Sequence, residues 1–275
     1  MKKGTVLLLV LLLTLALTAC GQTRQDDGIA ANTPDQQVEP DAGYTAGGGE
    51  IVQVDGFREI DIQWIAGRVV VERYDGKVTE LSETKLDGSP VSLKMEWRLN
   101  EDTGKLEIRS QPVQANTDEG KLLTVRLPRD TVLYELDINT VSADVDVQAS
   151  FTQLTELAIT TVSGSVTAAD VTADEVSLAS TSGELAGVYQ AQRLDVDTVS
   201  GKVTLTLPNV PQELEAETTS GDVTLTLSAQ PAAPVALRFQ TVSGVFRCDI
   251  DSADNAANVW EFQTVSGSVT VSAAA

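Results

Sequence analysis

The sequence predicts an all-β fold, built as a parallel β-solenoid in which each coil contains about 20 residues. The first observation is a Thr-Val-Ser-Gly element that recurs through the C-terminal half of the chain, with successive serines 18 to 23 residues apart. That period is too short for helical repeats and suits one β coil per copy. The second observation is strict apolar alternation around each copy. The copies occupy 140–143, 161–164, 180–183, 198–201, 218–221, 241–244 and 264–267.

Each copy predicts two strands joined by a sharp corner. Leu194, Val196 and Thr198 lie on one face of an alternating strand, and after Gly201 the apolar positions resume at Val203 with the opposite parity. The same change of parity follows the other copies. The threonine that opens each copy is expected to bond the backbone groups of its corner, because hydroxyls satisfy turn amides and carbonyls. The recurring serine is therefore predicted to be a turn residue rather than a nucleophile.

Glycine is predicted at each corner because a tight turn often requires positive φ, which is costly for a residue with a Cβ atom. A weaker copy, 64–67, extends the array toward the N-terminus, and the copy at 140–143 has Ala143 where the others have glycine. Ala143 predicts a first corner of different shape. Read in chain order, the array ends at the copy that follows Trp260 and Phe262. The predicted corner glycines are Gly67, Gly164, Gly183, Gly201, Gly221, Gly244 and Gly267.

A second topology fits the same alternation. A two-residue Ser-Gly hairpin would also reverse the apolar face and give an antiparallel β-meander or sandwich. Ser-Gly is a weaker hairpin signal than Asn-Gly, and the regular spacing favours stacked equivalent coils.

The first 50 residues predict export and anchoring. Residues 1–19 contain two lysines followed by an apolar run and small residues, the pattern of a secretory signal peptide. The segment before Cys20 resembles the lipobox of bacterial lipoproteins, which implies cleavage before Cys20 and lipidation of its sulfur, with the protein anchored on the extracytoplasmic face of the membrane. Residues 20–50 are rich in Gly, Asp, Gln and Pro and predict a flexible linker. The repeat domain is predicted at 51–275, with a hairpin insertion within about 85–110.

The repeated element resembles a bacterial family of domains of unknown function known as putative adhesins. The resemblance includes the runs Val125–Pro128 and Leu136–Ile138 that precede the repeats, and it covers about residues 55 to 272. It implies a right-handed β-solenoid located in the cell envelope. The family name carries little weight on activity.

Composition excludes several classes of function. The formal net charge of −21 makes a nucleic-acid partner very unfavourable. The chain has no histidine, which removes Ser-His and Cys-His catalysis. Besides Cys20 there is one cysteine, Cys248, so no intramolecular disulfide is predicted within the folded domain.

One cluster of carboxylates is predicted from the repeat register. Counting back from each corner serine places Asp195 and Asp197 beside Glu215 and Glu217 on the next coil, and a hard cation such as Ca²⁺ would relieve their repulsion. Arg238 is expected to follow on the next coil. The alternatives are a solvated acidic face and, least favoured, the carboxylate pair of a glycosidase. No other cofactor is predicted.

Three functions remain open at the level of sequence. The first is a noncatalytic envelope lipoprotein, an adhesin-like binding or scaffold module that meets a cell-wall glycan or an envelope protein. The second is a passive structural or envelope-sensing protein. The third is a carbohydrate-active enzyme built on a β-helix.

Overall fold

Strands make up the regular secondary structure of the residues that the structure describes. The computed structural model describes residues 43–47, 52–54, 56–91, 94–111, 120–148 and 150–274. These lie in one compact unit, Glu39–Ala275. The signal peptide, Cys20 and most of the linker fall outside the described residues. Within the described part of the chain, no helix is both long and apolar enough to cross a membrane.

In the part of the chain that the structure describes, eighteen strands belong to one mostly parallel sheet. In chain order they are β1 (Thr45–Ala46), β2 (Val52–Val54), β3 (Glu59–Tyr74), β4 (Thr79–Lys85), β5 (Glu96–Asn100), β6 (Lys105–Arg109), β7 (Lys121–Pro128), β8 (Glu135–Val147), β9 (Phe151–Thr161), β10 (Val166–Ser180), β11 (Leu185–Thr198), β12 (Val203–Leu207), β13 (Glu213–Thr218), β14 (Val223–Leu227), β15 (Ala236–Thr241), β16 (Phe246–Cys248), β17 (Val259–Thr264) and β18 (Val269–Ala273).

The repeats pair in parallel and in register. Strand β11 lies beside β13 with Leu194 opposite Leu214 and Thr198 opposite Thr218, and β12 lies beside β14 in the same way. Each repeat thus places its side chains beside the equivalent side chains of a neighbour. The parallel arrangement is confirmed, and the antiparallel meander is not what the repeat strands form.

The core runs through the inside of the stack. Apart from the coil of β15 and β16, the apolar side chains before and after the corners are buried, as Val196 before a corner and Val203 after it illustrate. The residues that alternate with them along each strand face outward. Burial of one such aliphatic side chain contributes about 1.5–3 kcal/mol before conformational entropy is subtracted. The alternation of apolar and polar residues in the sequence therefore corresponds to side chains that point into the core of the stack and side chains that point to its surface.

Buried threonines close the corners. The Thr198 Oγ1 atom accepts a hydrogen bond from the Gly201 amide at 2.8 Å, and Thr218 does the same for Gly221. These hydroxyls satisfy buried backbone amides and so stabilise the corners.

The corner glycines are needed for close contact between coils rather than for positive φ. Of the predicted set, only Gly67 has a φ in the left-handed region, +104°. A Cβ atom on Gly183 would lie 1.9 Å from the carbonyl oxygen of Gly164, and one on Gly221 would lie 2.1 Å from that of Gly201. The predicted cause is therefore correct for Gly67 and wrong for the other predicted corner glycines. The corners lie so close to one another that a methyl group would overlap the backbone below it.

The first corner is different in shape. Ala143 lies beside Gly67, and β8 and β3 both continue through this position without a break. The later corners interrupt their strands. Both strands continue through this corner, β8 with Ala143 and β3 with Gly67.

Antiparallel strands cover the N-terminal side of the stack. Strands β5 and β6 form a hairpin, β4 lies antiparallel to β7, and β1 pairs with β5. Beneath them, the buried Lys121 donates from Nζ to Glu83 Oε1 at 2.9 Å, and Lys121 also lies over the Trp64 ring. This pair is enclosed, and removal of either partner would leave a buried charge uncompensated.

At the C-terminal side, the order of the coils differs from the order of the chain. Strand β17 lies between β13 and β15, and β18 lies between β14 and β16. The copy at 264–267 therefore does not end the stack, which corrects the expectation from sequence. The outermost coil is formed by β15 and β16, which precede it in the chain.

This order decides which aromatic side chains are buried. Trp260 and Phe262 are fully buried, and the Trp260 indole donates to the Pro211 carbonyl at 3.0 Å. Phe239 and Phe246 in the outer coil are half-buried and stack with centroids 4.8 Å apart. Cys248 in the same coil is also half-buried, and burial raises the pKa of its thiol.

We expect two register-paired phenylalanines to respond differently to truncation. Phe262→Ala should lower the free energy of unfolding by about 3–5 kcal/mol, because it leaves a cavity inside the stack. Phe239→Ala, its neighbour on the outer coil, should cost less than half of that, because its side chain is already half-exposed. Urea denaturation of both variants measures the difference. Equal losses, or a larger loss at Phe239, would contradict the order of the last two coils.

Candidate functional site

The four predicted carboxylates lie together. Strands β11 and β13 place Asp195 beside Glu215 and Asp197 beside Glu217, all on outward positions. Neighbouring strands are about 4.8 Å apart, so these side chains are within reach of one another. We call Asp195, Asp197, Glu215 and Glu217 the acidic cluster.

The neighbour of the acidic cluster is a carboxylate and not the predicted arginine. Because β17 lies next to β13, Glu261 stands beside Glu215. Arg238 is one strand further away and forms an ion pair with Glu261. The sequence placed Arg238 wrongly because it followed chain order. The cluster thus lacks the neutralising partner that was expected of Arg238.

Asp195, Asp197 and Glu217 resist ionisation. Burial, followed by the charges of Asp195, Glu217 and Glu215, raises the pKa of Asp197 to about 7. Burial and like charges also raise the pKa of Asp195 and of Glu217. At neutral pH the cluster therefore holds less negative charge than its composition suggests.

A second pair of carboxylates lies on the same outward column, toward the N-terminal side. Asp61 on β3 is beside Asp137 on β8, and Lys105 Nζ lies 3.1 Å from Asp61 Oδ2. Burial, followed by the charge of Asp61, raises the pKa of Asp137 to about 6. The other oxygen of Asp61 is buried without a hydrogen-bond partner among the described residues. Repulsion between adjacent carboxylates thus recurs along the column.

The described residues include no group of three or more acidic or cysteine side chains arranged to hold a metal ion. Calcium binding by the acidic cluster stays a prediction. The parallel register brings the four carboxylates side by side but does not by itself provide the six to eight oxygen ligands that Ca²⁺ prefers.

The structure contains a second feature, an open trough of about 400 Å³ that crosses the stack. Its floor is made of the buried residues Leu154, Ala173 and Ala191, which lie in register on β9, β10 and β11. The pairing of β10 with both neighbours is irregular just before this point. Such bulges bend strands and re-aim side chains, and here they coincide with the concave surface.

Neutral polar side chains form most of the trough walls. Thr172 lies beside Gln190, and Gln192 donates from Nε2 to Asp174 Oδ1 at 2.8 Å. Thr152 and Thr155 contribute hydroxyls from β9. Among the described lining residues Asp174 is the one charged group.

The two ends of the trough are fixed by the backbone. At one end, the Tyr134 carbonyl accepts a hydrogen bond from the Thr155 amide at 2.8 Å, and Tyr134 as a residue is 46% exposed. The Arg58 guanidinium lies 5.4 Å from the centre of that ring. At the other end, the Asn209 side chain donates to the Ala191 carbonyl at 2.7 Å and accepts from its amide.

The trough was not predicted from the sequence. Its signal is weak, since it consists of polar residues such as Thr172 and Gln190 at positions that any outward strand surface would tolerate. The concavity depends on irregular pairing between three strands, and a single strand does not reveal its neighbours' register.

These observations define an all-β repeat protein whose parallel strands stack equivalent side chains into columns. The family of such proteins described as Toastrack DUF4097 matches residues 61–275. The chain belongs to this family of domains of unknown function. No curated protein matches the chain.

Two solved structures illustrate the similarity of this chain to known proteins. A protein named "putative adhesin" from Bacteroides fragilis is 16% identical, and the match covers 86% of this chain and all of that one with a TM-score of 0.54. A "putative lipid binding protein" from Parabacteroides distasonis is 14% identical over 86% of this chain and 98% of that one, with a TM-score of 0.47. The first likeness supports the fold, and neither decides the function.

The raised pKa of Asp197 predicts that stability falls as pH rises. A carboxyl whose pKa is higher in the folded than in the unfolded state stabilises the fold below the unfolded pKa, near 4, and this contribution is lost as pH rises through about 7. The melting temperature should therefore decrease between pH 5 and pH 8. Asp197→Asn should melt higher than the wild type at pH 8 and show a shallower pH dependence. Asp254→Asn, on an exposed loop, is the control. An unchanged slope in Asp197→Asn would contradict the assignment.

Proposed function

We propose that the chain is a noncatalytic binding module of the bacterial cell envelope. In this proposal a lipid on Cys20 anchors it to the extracytoplasmic face of the membrane, and residues 20–50 act as a flexible linker. The repeat domain is interpreted as a right-handed β-solenoid with coils of about 20 residues. Its partner is a cell-wall glycan or an envelope protein, and the name "putative adhesin" of the Bacteroides fragilis structure agrees with this class.

The observation that carries the proposal is the trough. It is open to solvent, has a preformed floor of packed residues and is lined with hydrogen-bonding groups. Sites of this kind bind ligands without large rearrangement, because their walls are already held in place.

The lining favours binding over hydrolysis. Glycoside hydrolysis uses two carboxylates on either side of the scissile bond, and the described lining residues include one, Asp174. Asp174 is already engaged by Gln192. The acidic cluster lies on the sheet surface, on other residues than those that line the trough.

Lipidation at Cys20 predicts a specific labelling result. When the chain is expressed in a bacterial host with a clickable palmitate analogue, the wild type should become labelled and Cys20→Ser should not. Cys248→Ser removes the other cysteine and should keep the label. Label on Cys20→Ser, or none on the wild type, would contradict the anchor.

Binding without turnover predicts the result of a co-sedimentation assay. The full chain, purified in detergent, should sediment with insoluble cell-wall polysaccharide and release no reducing sugar from it. Heat-unfolded protein is the control for nonspecific capture. Release of reducing ends would favour the enzyme alternative. A chain that stays in the supernatant and also cross-links to no envelope protein would oppose a binding role altogether.

A further inference from the structure

We propose that the trough binds a neutral, unbranched oligosaccharide that lies across the strands, along the direction in which the coils stack. This assignment rests on the proposed function and names the ligand class and the site. The argument uses the chemistry of the lining, its length, the aromatic ring at one end and the charges around it.

The lining matches hydroxyl groups. Threonine hydroxyls and glutamine amides both donate and accept hydrogen bonds, as sugar hydroxyls do. Thr172 and Gln190 face the trough from adjacent strands, so one sugar can contact both. The small floor residues Ala173 and Ala191 allow a ligand to approach the backbone closely.

The trough is long enough for several sugar units. It extends from Tyr134, which precedes β8, across β9, β10 and β11 to Asn209, which precedes β13. Four steps of about 4.8 Å between neighbouring coils give a length of about 19 Å. An extended chain fits this shape better than a compact ligand.

Tyr134 provides an apolar surface at one end. The residue is about half exposed, and its backbone is hydrogen-bonded to Arg58 on one side and to Thr155 on the other. The Arg58 guanidinium lies over one face of the ring, so the opposite face is the flat apolar surface offered to the C–H groups of a sugar, with a hydroxyl at its rim. Little conformational entropy is lost when a ligand binds to it.

Charge selects against anionic polymers. Glu135, Glu156 and Glu175 form a column of carboxylates in register beside the trough. Arg193 is next in this column and pairs with Glu175 and Glu213, and Arg58 lies over the Tyr134 ring, so these two cations offset part of the negative charge. The described lining residues include no lysine or arginine that could receive a phosphate or a carboxylate. A phosphate-rich or acidic polymer would therefore be repelled, whereas a neutral glycan would not.

The test is a calorimetric titration of the full chain, purified in detergent, with cellotetraose and with tetra-N-acetylchitotetraose. At least one of them should bind, and Tyr134→Ala should weaken that binding about tenfold. Gln190→Ala should weaken it about threefold through loss of a hydrogen bond. Gln240→Ala, an exposed glutamine on the outer coil, is the matched control and should bind as the wild type does. Melting temperatures of all variants identify any loss of fold, and Tyr134→Leu, which keeps apolar bulk, provides a second variant at the ring.

The outcomes separate the trough from the wider proposal. If the chain sediments with polysaccharide but folded Tyr134→Ala and Gln190→Ala bind as well as the wild type, the trough is not the site and the binding function stands. If neither tetrasaccharide binds at millimolar concentration, the ligand class is wrong. If a lysine-rich peptide binds and the tetrasaccharides do not, the trough is a binding site for a basic protein, and the proposal of a glycan ligand is wrong.

Discussion

Backbone contact between successive corners is the constraint on which the rest of this structure depends. The carbonyl oxygen of Gly201 lies where a Cβ atom on Gly221 would be, so the coils approach each other closely at this position. Because the corners fit together in one way, they fix the register of every strand that leaves them. Register in turn decides that leucine lies over leucine and that carboxylate lies beside carboxylate. The packing of the core and the juxtaposition of like charges follow from this register, whereas the trough lies where the pairing is irregular.

The balance of forces differs between the inside and the outside of the stack. Inside, equivalent apolar side chains add favourable contacts with every coil. Outside, burial raises the pKa of Asp197 to about 7, and the like charges that the same register places beside it add to the shift. The repeat thus gains stability from its core and loses some of it at the acidic cluster. A ligand that neutralises the cluster, or a lower pH, would return that stability.

The parallel stack and the pairing of Asp195 with Glu215 could be predicted because period-two alternation and regular spacing determine neighbours within uninterrupted repeats. The prediction failed where neighbours in the chain are not neighbours in space. Strands β15 and β17 both precede a Thr-Val-Ser-Gly corner, so either could have paired with β13, and the larger buried side chains Trp260 and Phe262 occupy the inner position. The reason that the corners require glycine could also not be predicted from the sequence. It is overlap with the backbone of a neighbouring coil, which depends on residues distant in the chain.

The inner position of β17 and β18 has a consequence for how the domain forms. Strands β15 and β16 are synthesised first, yet they cannot take their final neighbours until the later strands have arrived beneath them. The stack therefore cannot grow by simple addition of each coil to the last. The outermost coil, β15 and β16, packs on β17 and β18, which are synthesised after it. The fold can therefore be completed only after β17 and β18 have been synthesised and have paired with the inner strands.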